Sequence, residues 1–273
     1  TIVNALINAF KKHNGELILS SKVDSINIEK DIATGIKLEN GKKISANHIV
    51  MNCDIWSAQN LLPKDIAKKW KTKPNTIKKC DSFLHMHLGF DSSGLNDLPI
   101  HTIWVDKWER GITDERNIVV FSIPTVLDPK MAPKGKHLLH GYTPANESWN
   151  KWKSLKQNSN TYKKLKEESC SIFFKPLKKI IPDIEKRIDI KLLGTPLTHQ
   201  KFTNTYCGSY GPAISADKNL FPGCRTPIKN LFLCGASSFP GIGIPAVAAS
   251  GAYAAQAIMG KKRYKELINQ INP

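Results

Sequence analysis

The chain has 273 residues, is 41% hydrophobic and carries 40 Lys and Arg against 23 Asp and Glu, a formal net charge of +17, so it holds enough apolar material for one large core or two small ones. Its longest apolar run, 244–259, is interrupted by Pro245, Ser250, Gly251 and Gln256, which excludes a membrane span and reads as a buried helix. Six cysteines without CxxC spacing argue against a zinc site or a disulfide framework and point to a reducing, cytoplasmic setting, and the spread of Lys along the chain, with no recognisable binding motif, argues against nucleic acid as a partner.

Residues 1–13 place Ile2, Leu6, Ala9 and Phe10 at three-and-four spacing, which predicts a helix with one buried face that Gly15 is positioned to cap. The first residues show no initiator Met and no signal-type segment, so the chain reads as starting within a longer protein. Short β-type runs follow at 16–19, 23–28, 33–38 and 44–51, with Asn40-Gly41 as a tight-hairpin signal. A short helix is expected over 63–70. Runs at 82–90, 100–105, 117–123 and 137–142, separated by Gly, Pro and Asp turns, predict an inserted antiparallel sheet.

Over 160–181, Tyr162, Leu165, Ile172, Phe173, Leu177 and Ile180 alternate with Lys163, Lys164, Lys166, Lys175, Lys178 and Lys179. This predicts one long amphipathic helix, kinked or broken by Pro176, whose basic face suits either solvent or peripheral contact with anionic lipid. Strands are expected at 187–193 and 231–234, and a last helix at 244–259.

The segment 231–257 has the layout of a buried strand, a Gly-rich loop and a helix, which presents unpaired N–H groups at the positive end of a helix dipole. Gly241 and Gly243 remove the Cβ atoms that would hold a flat ligand away, and Pro240 and Pro245 stiffen the turn. The same layout alone also serves plain turn geometry. Ser237 and Ser238 follow a strand, but the G-x-S-x-G pattern is absent, which argues against acyl transfer.

His85 and His87 flank Met86 and share one strand face. A metal site needs a third ligand, and none stands at suitable sequence spacing, so a polar cavity wall or a solvated face is expected and no metal. His137 and His140 fall on opposite faces of their strand.

The run NLFLCGASSFPGIGIP over 230–245 resembles the C-terminal flavin motif of bacterial phytoene desaturases and their relatives, the carotenoid cis-trans isomerases and retinol saturases. GTPLTHQKF over 194–202 and GSYGP over 208–212 are similar to the preceding segment in the isomerase and saturase branch, and the opening region through Gly15, Val23, Ile26, Gly35 and Gly41 to Asn52 follows the same pattern. The resemblance implies an α/β chain: the C-terminal part of a two-dinucleotide-binding-type FAD fold, with Rossmann-like sheet elements at both ends and an inserted mixed, largely antiparallel substrate domain. The implied division is 1–54 and 194–273 for the FAD-binding domain and 55–193 for the substrate domain.

The resemblance further implies FAD as cofactor. Gly235, Ala236, Pro240, Gly241, Ile242, Gly243 and Ile244 would lie along its ribityl chain and pyrimidine edge, and Val23 would meet the adenine through its backbone. Ala236 stands where the isomerase branch often carries Asp. Thr198, His199 and Tyr210 would lie near the cavity of a hydrophobic polyene substrate, whose desaturation, saturation or isomerisation begins with hydride or electron exchange at the flavin. No side chain is an evident general acid or base, so no catalytic residue is named. No G-x-G-x-x-G occurs, so the N-terminal FAD-binding segment is missing from this chain. Two readings follow: part of an FAD-dependent oxidoreductase or isomerase, or a non-catalytic remnant or split subunit that binds FAD only with an N-terminal partner.

Overall fold

A computed structural model describes residues 2–70, 77–214 and 221–271. They fall into two units, the first built from Thr1–Pro74, Gly223–Pro240 and Ile244–Pro273, the second from Asn75–Pro222 with Gly241–Gly243. These junctions lie later in the chain than the expected 54/55 and 193/194.

In the first unit, α1 (Ile2–Lys12) ends on Asn14, which takes the positive φ of 62° while the Gly15 N–H returns to the Phe10 carbonyl at 2.9 Å. The expected buried face is open: Ile2, Val3, Leu6 and Phe10 are between 50% and 66% exposed. Residues 16–19 form no strand, and Leu17, Ile18 and Leu19 are exposed. A β-run becomes a strand only when a neighbouring edge accepts its N–H and C=O groups.

The strands β1 (Val23–Glu29), β2 (Ile32–Leu38) and β3 (Lys43–Ser45) form an antiparallel meander in that order. The first turn is Lys30-Asp31, both at positive φ (49° and 63°), the primed geometry that matches strand twist. In the second turn only Gly41 has positive φ, and the Asn40 carboxamide accepts from the Lys42 N–H at 3.0 Å. The run expected over 44–51 is therefore two strands, since β4 (Ile49–Met51) leaves the meander and pairs in parallel with β10 (Leu231–Leu233). All three residues of β10 are buried. Between these strands in sequence come α2 (Ile55–Ala58), capped by the Asp54 carboxylate, and α3 (Lys64–Trp70).

The unit is completed by α8 (Ile244–Met259) and by α9 (Lys261–Ile271), which the sequence reading did not anticipate. Although α8 is apolar on every side, only Ser250 and Ala254 are fully buried, so it is not the buried helix expected. No described helix is long and apolar enough to cross a membrane.

The second unit holds β5 (His85–Asp91), β6 (His101–Val105), β7 (Ile118–Ser122), β8 (Lys136–Tyr142) and β9 (Ile188–Gly194) in one antiparallel sheet, ordered β6-β7-β8-β5-β9. Period-two alternation sends Leu84, Met86, Leu88, Phe90, Val119, Phe121 and Leu139 to one face, where they pack with Trp152, Tyr162, Phe173, Leu177, Ile181 and Ile184. The covering layer is α4 (Asn160–Cys170), a tight turn over 171–173, α5 (Phe174–Ile180) and α6 (Ile184–Arg187). The expected single helix thus breaks at 171–173, ahead of Pro176. That proline sits in the first turn of α5, where a missing N–H has no intrahelical partner to lose.

The registers Leu192↔His87, His87↔His140 and Ser122↔His140 define the opposite face. It carries His85, His87, His140 and Tyr142 together with Ile103, Leu138, Ile190 and Leu192, of which Ile103, Ile190 and Leu192 are more than half exposed. A short helix, α7 (Pro196–Thr203), follows β9, so Thr198, His199 and Tyr210 belong to this unit.

Candidate functional site

The carboxyl ends of the parallel strands β4 and β10 lie side by side, and the Cys234 N–H donates to the Met51 carbonyl at 3.0 Å. Just beyond them, Gly235 adopts φ 99°, and a Cβ there would stand 2.4 Å from Asn52 Oδ1. Its N–H donates to Ser250 Oγ at 2.7 Å, and that hydroxyl donates to the Val247 carbonyl at 2.6 Å, which ties the strand end to the second turn of α8. The Ser238 N–H closes a turn on the Gly235 carbonyl at 3.0 Å. Ser237 and Ser238 are both buried, in keeping with a structural role, and Ser238 Oγ has no hydrogen-bond partner among the described residues.

Gly241, at φ 123°, packs under Phe221, whose ring carbons would be 2.9 Å from an added Cβ. Gly243, at φ 107°, is the reverse: among the described residues nothing lies within 4 Å of where its Cβ would be. Ile244 is 72% exposed. At the start of the 16-residue α8 the N–H groups of Ile244 and Ala246 have no intrahelical acceptor and stand at the positive end of the helix, Pro245 between them supplying none. Ala236, Pro240 and Ile242 are half-buried around this loop. A flat ring with an electron-rich edge fits such a helix start, since it meets backbone donors. Val23 stands apart from the loop in sequence, opening β1 opposite Leu38.

The segments marked for substrate divide. Thr198 is taken up in a capping box with Thr195: its hydroxyl accepts from the Thr195 N–H at 3.1 Å and lies 3.4 Å from the Tyr162 hydroxyl, so it holds the start of α7. His199 and Tyr210 both meet Phe83, with ring centroids 3.8 and 5.3 Å from it. His85 joins them, 4.4 Å from Phe83 and 4.7 Å from His199.

The expectation that His85 and His87 lack a third partner is overturned. His140 on β8 pairs directly with His87 across the sheet, the two rings stacked at 4.7 Å and 11°, and its centroid is 4.9 Å from His85. One ring nitrogen from each of the three lies within 4.8 Å of the others. His137, 53 residues downstream of Leu84 on the other face, bonds Thr125 instead at 2.8 Å. Phe83, His140 and Tyr142 were missed because cross-strand register, which no local spacing encodes, brings them together. Burial, with the neighbouring His199, His140 and His87 adding to it, pushes His85 down to about 3, and burial lowers His199 to about 4. Burial likewise lowers His87 and His140. Burial thus favours the neutral form of all four of these imidazoles.

The sequence profile of the flavin containing amine oxidoreductases matches residues 1–259. A chloroplastic prolycopene isomerase of an Oncidium hybrid cultivar is 33% identical over 265 residues, covering 94% of this chain and 44% of the isomerase. A 4,4'-diapophytoene desaturase of Methylomonas is 26% identical over 284 residues, covering 97% of this chain and 53% of the desaturase. The chain thus spans about half the length of the curated relatives it matches. Among solved structures, an oxidoreductase of Methanosarcina mazei superposes with a TM-score of 0.54 at 18% identity, over 94% of this chain and 53% of its own. With a profile match across almost all of its length, the chain belongs to the family of flavin-containing amine oxidoreductases, among the relatives of the carotenoid desaturases and isomerases.

Proposed function

We propose that this chain supplies the C-terminal part of an FAD-dependent enzyme acting on a carotenoid-type polyene, in a two-dinucleotide-binding arrangement. The observation that supports the reading is the helix tip at Gly243, where among the described residues nothing lies within 4 Å of the place a Cβ would take. When bound there, flavin supplies the electron exchange that makes, removes or rearranges carbon–carbon double bonds. The chain's own residues do the holding. The N–H groups of Gly243, Ile244 and Ala246 favour negative charge at the ring edge, Pro245 supplying none; Gly235 admits the Asn52 side chain against the strand end, and the Ser250 hydroxyl fixes the helix to the strand. Ile103, Leu138, Ile190 and Leu192 give the second unit an apolar sheet face suited to a hydrocarbon chain.

A segment carrying phosphate-cradling glycines completes the cofactor site in this reading. It would cover the open face of α1, supply a β-neighbour for 16–19 and bury the bare sides of α8. The alternative, a non-catalytic or split subunit, differs in that the segment arrives on a partner chain. Purified in its complete form, the protein is expected to be yellow. Gly243→Ala is expected to weaken flavin binding about tenfold while costing about 1 kcal/mol of stability, followed by flavin fluorescence and by thermal melting. A colourless protein that takes up no added FAD overturns the reading. Product analysis sorts the reaction, because isomerisation leaves the number of double bonds unchanged and desaturation raises it.

A polyene dissolves in bilayers, so the enzyme must meet a lipid surface. The Lys163, Lys164, Lys175 and Lys178 side of α4 and α5 is the element assigned to that contact here. Sedimentation with anionic vesicles, absent with zwitterionic ones and lost at high salt, is the expected result.

A further inference from the structure

We propose that His85, His87 and His140 form a binding site for a borderline divalent metal ion, of which Zn²⁺ is the simplest probe. The arrangement is an i, i+2 pair on one strand plus the residue directly opposite on its antiparallel neighbour. That is the shortest way a sheet can aim three imidazoles at one point, because all three side chains rise from the same face of the pleat.

Their nitrogens already lie within 4.8 Å of one another. Tetrahedral coordination at about 2.0–2.1 Å per bond requires nitrogens roughly 3.4 Å apart, so each moves inward by about 1 Å, within reach of small side-chain rotations. The strands themselves need not shift. The ladder continues through this point without a bulge between β5 and β8.

A second observation points the same way. Among the described residues Nε2 of His140 is buried with no hydrogen-bond partner, and Nε2 of His199, on the ring that touches His85, is in the same state. A polar nitrogen buried without a partner is uncommon and calls for an explanation such as an ion. A site that were only an aromatic wall would leave both unexplained.

The donor set selects the ion. Three imidazoles suit Zn²⁺, Cu²⁺ or Ni²⁺ and not Mg²⁺ or Ca²⁺, which take oxygen ligands. Three histidines with a fourth position open is also the ligand complement of catalytic zinc, as in carbonic anhydrase, and not of closed structural sites. The fourth place falls to water or to His199. His87 is the exposed member and gives the ion its path in from solvent.

The test is calorimetric titration of the untagged, chelator-treated protein with Zn²⁺ and with Mg²⁺, repeated on His87→Ala, His140→Ala and, as a control, the exposed His13→Ala. One Zn²⁺ per chain is expected, with no Mg²⁺ binding. His87→Ala and His140→Ala should each weaken Zn²⁺ by at least about tenfold and His13→Ala should leave it unchanged. Zn²⁺ should also raise the melting temperature of the parent and not of His87→Ala, a variant at an exposed position that keeps the core intact. Absence of Zn²⁺ binding, or binding equal in His87→Ala and the parent, which would assign the ion to the free cysteines, overturns the proposal. Neither readout depends on flavin.

Discussion

Replacing Arg116 by Met is expected to lower the stability of the second unit by about 3–5 kcal/mol, seen as a fall in the urea midpoint at unchanged slope. The Glu147 side chain is wholly buried, and a buried carboxylate persists only if every lone pair is answered. Arg116 answers two of them, Nε to Oε2 at 2.8 Å and Nη2 to Oε1 at 2.7 Å, and Trp152 Nε1 donates to Oε1 at 2.8 Å. The backbone of Glu147 is fixed as well, exchanging hydrogen bonds with Ser82 at 2.8 and 3.0 Å. The carboxylate therefore has no route to water once the guanidinium is gone. Arg116 also holds a positive φ of 58°, a conformation that a long side chain adopts only when its contacts compel it.

Met keeps that backbone strain and fills similar volume, so the loss isolates the charge. Glu147→Gln should cost less than half as much, since the carboxamide still accepts from Trp152, and the double variant should recover part of the Arg116→Met loss. A cost below about 1 kcal/mol for Arg116→Met would mean that water reaches the Glu147 carboxylate once the guanidinium is gone.

Local patterns carried much of this fold, and their failures share a cause. The limits of α8 and the strand positions β5 to β8 follow from periodicity and turn residues, and the glycine loop follows from its own composition. The sense of an apolar stripe is local, but what covers it is not. The stripe of α1 and the run 16–19 were expected to be buried and paired because their patterns ask for a partner, and within the described residues they are open. Lys30-Asp31 escaped notice as a hairpin turn because Lys is untypical of positive φ and no Gly marks the pair, though Asp tolerates that conformation. The site showed the same division. The positive-φ glycines Gly241 and Gly243 were legible as a glycine-rich helix entry from composition, while the histidine cluster depends on His140 lying opposite His87, a fact of register between segments 53 residues apart. Thr198, which the resemblance places near substrate, has its hydroxyl engaged in starting α7, a role that likewise depends on its fold neighbours Thr195 and Tyr162.

Gly208→Ala is expected to cost about 2–5 kcal/mol and to loosen the aromatic group around Phe83. Gly208 holds φ 58°, which alone costs an alanine about 1–2 kcal/mol. The added Cβ would also stand 2.3 Å from the Pro196 carbonyl oxygen and 3.0 Å from its carbon, both main-chain atoms of the first turn of α7, and neither can swing aside as a side chain would. The clash must be relieved by moving 206–211 or α7. Both consequences reach the same place. Ser82 Oγ donates to the Gly208 carbonyl at 2.6 Å and Ser209 Oγ to the Cys80 carbonyl at 2.6 Å, so the 206–211 segment is what sets Tyr210 against Phe83, and α7 is what carries His199. Near-ultraviolet circular dichroism should therefore weaken along with the melting temperature. Gly94→Ala is the matched control, because Gly94 has φ 71° and nothing among the described residues within 4 Å of its Cβ position, leaving the conformational cost alone. The difference between the two variants measures how tightly the backbone at Gly208 is pressed onto α7. Equal losses, with the aromatic signal intact in both, would show that α7 yields freely and that His199 is held by its ring contacts rather than by the helix that bears it.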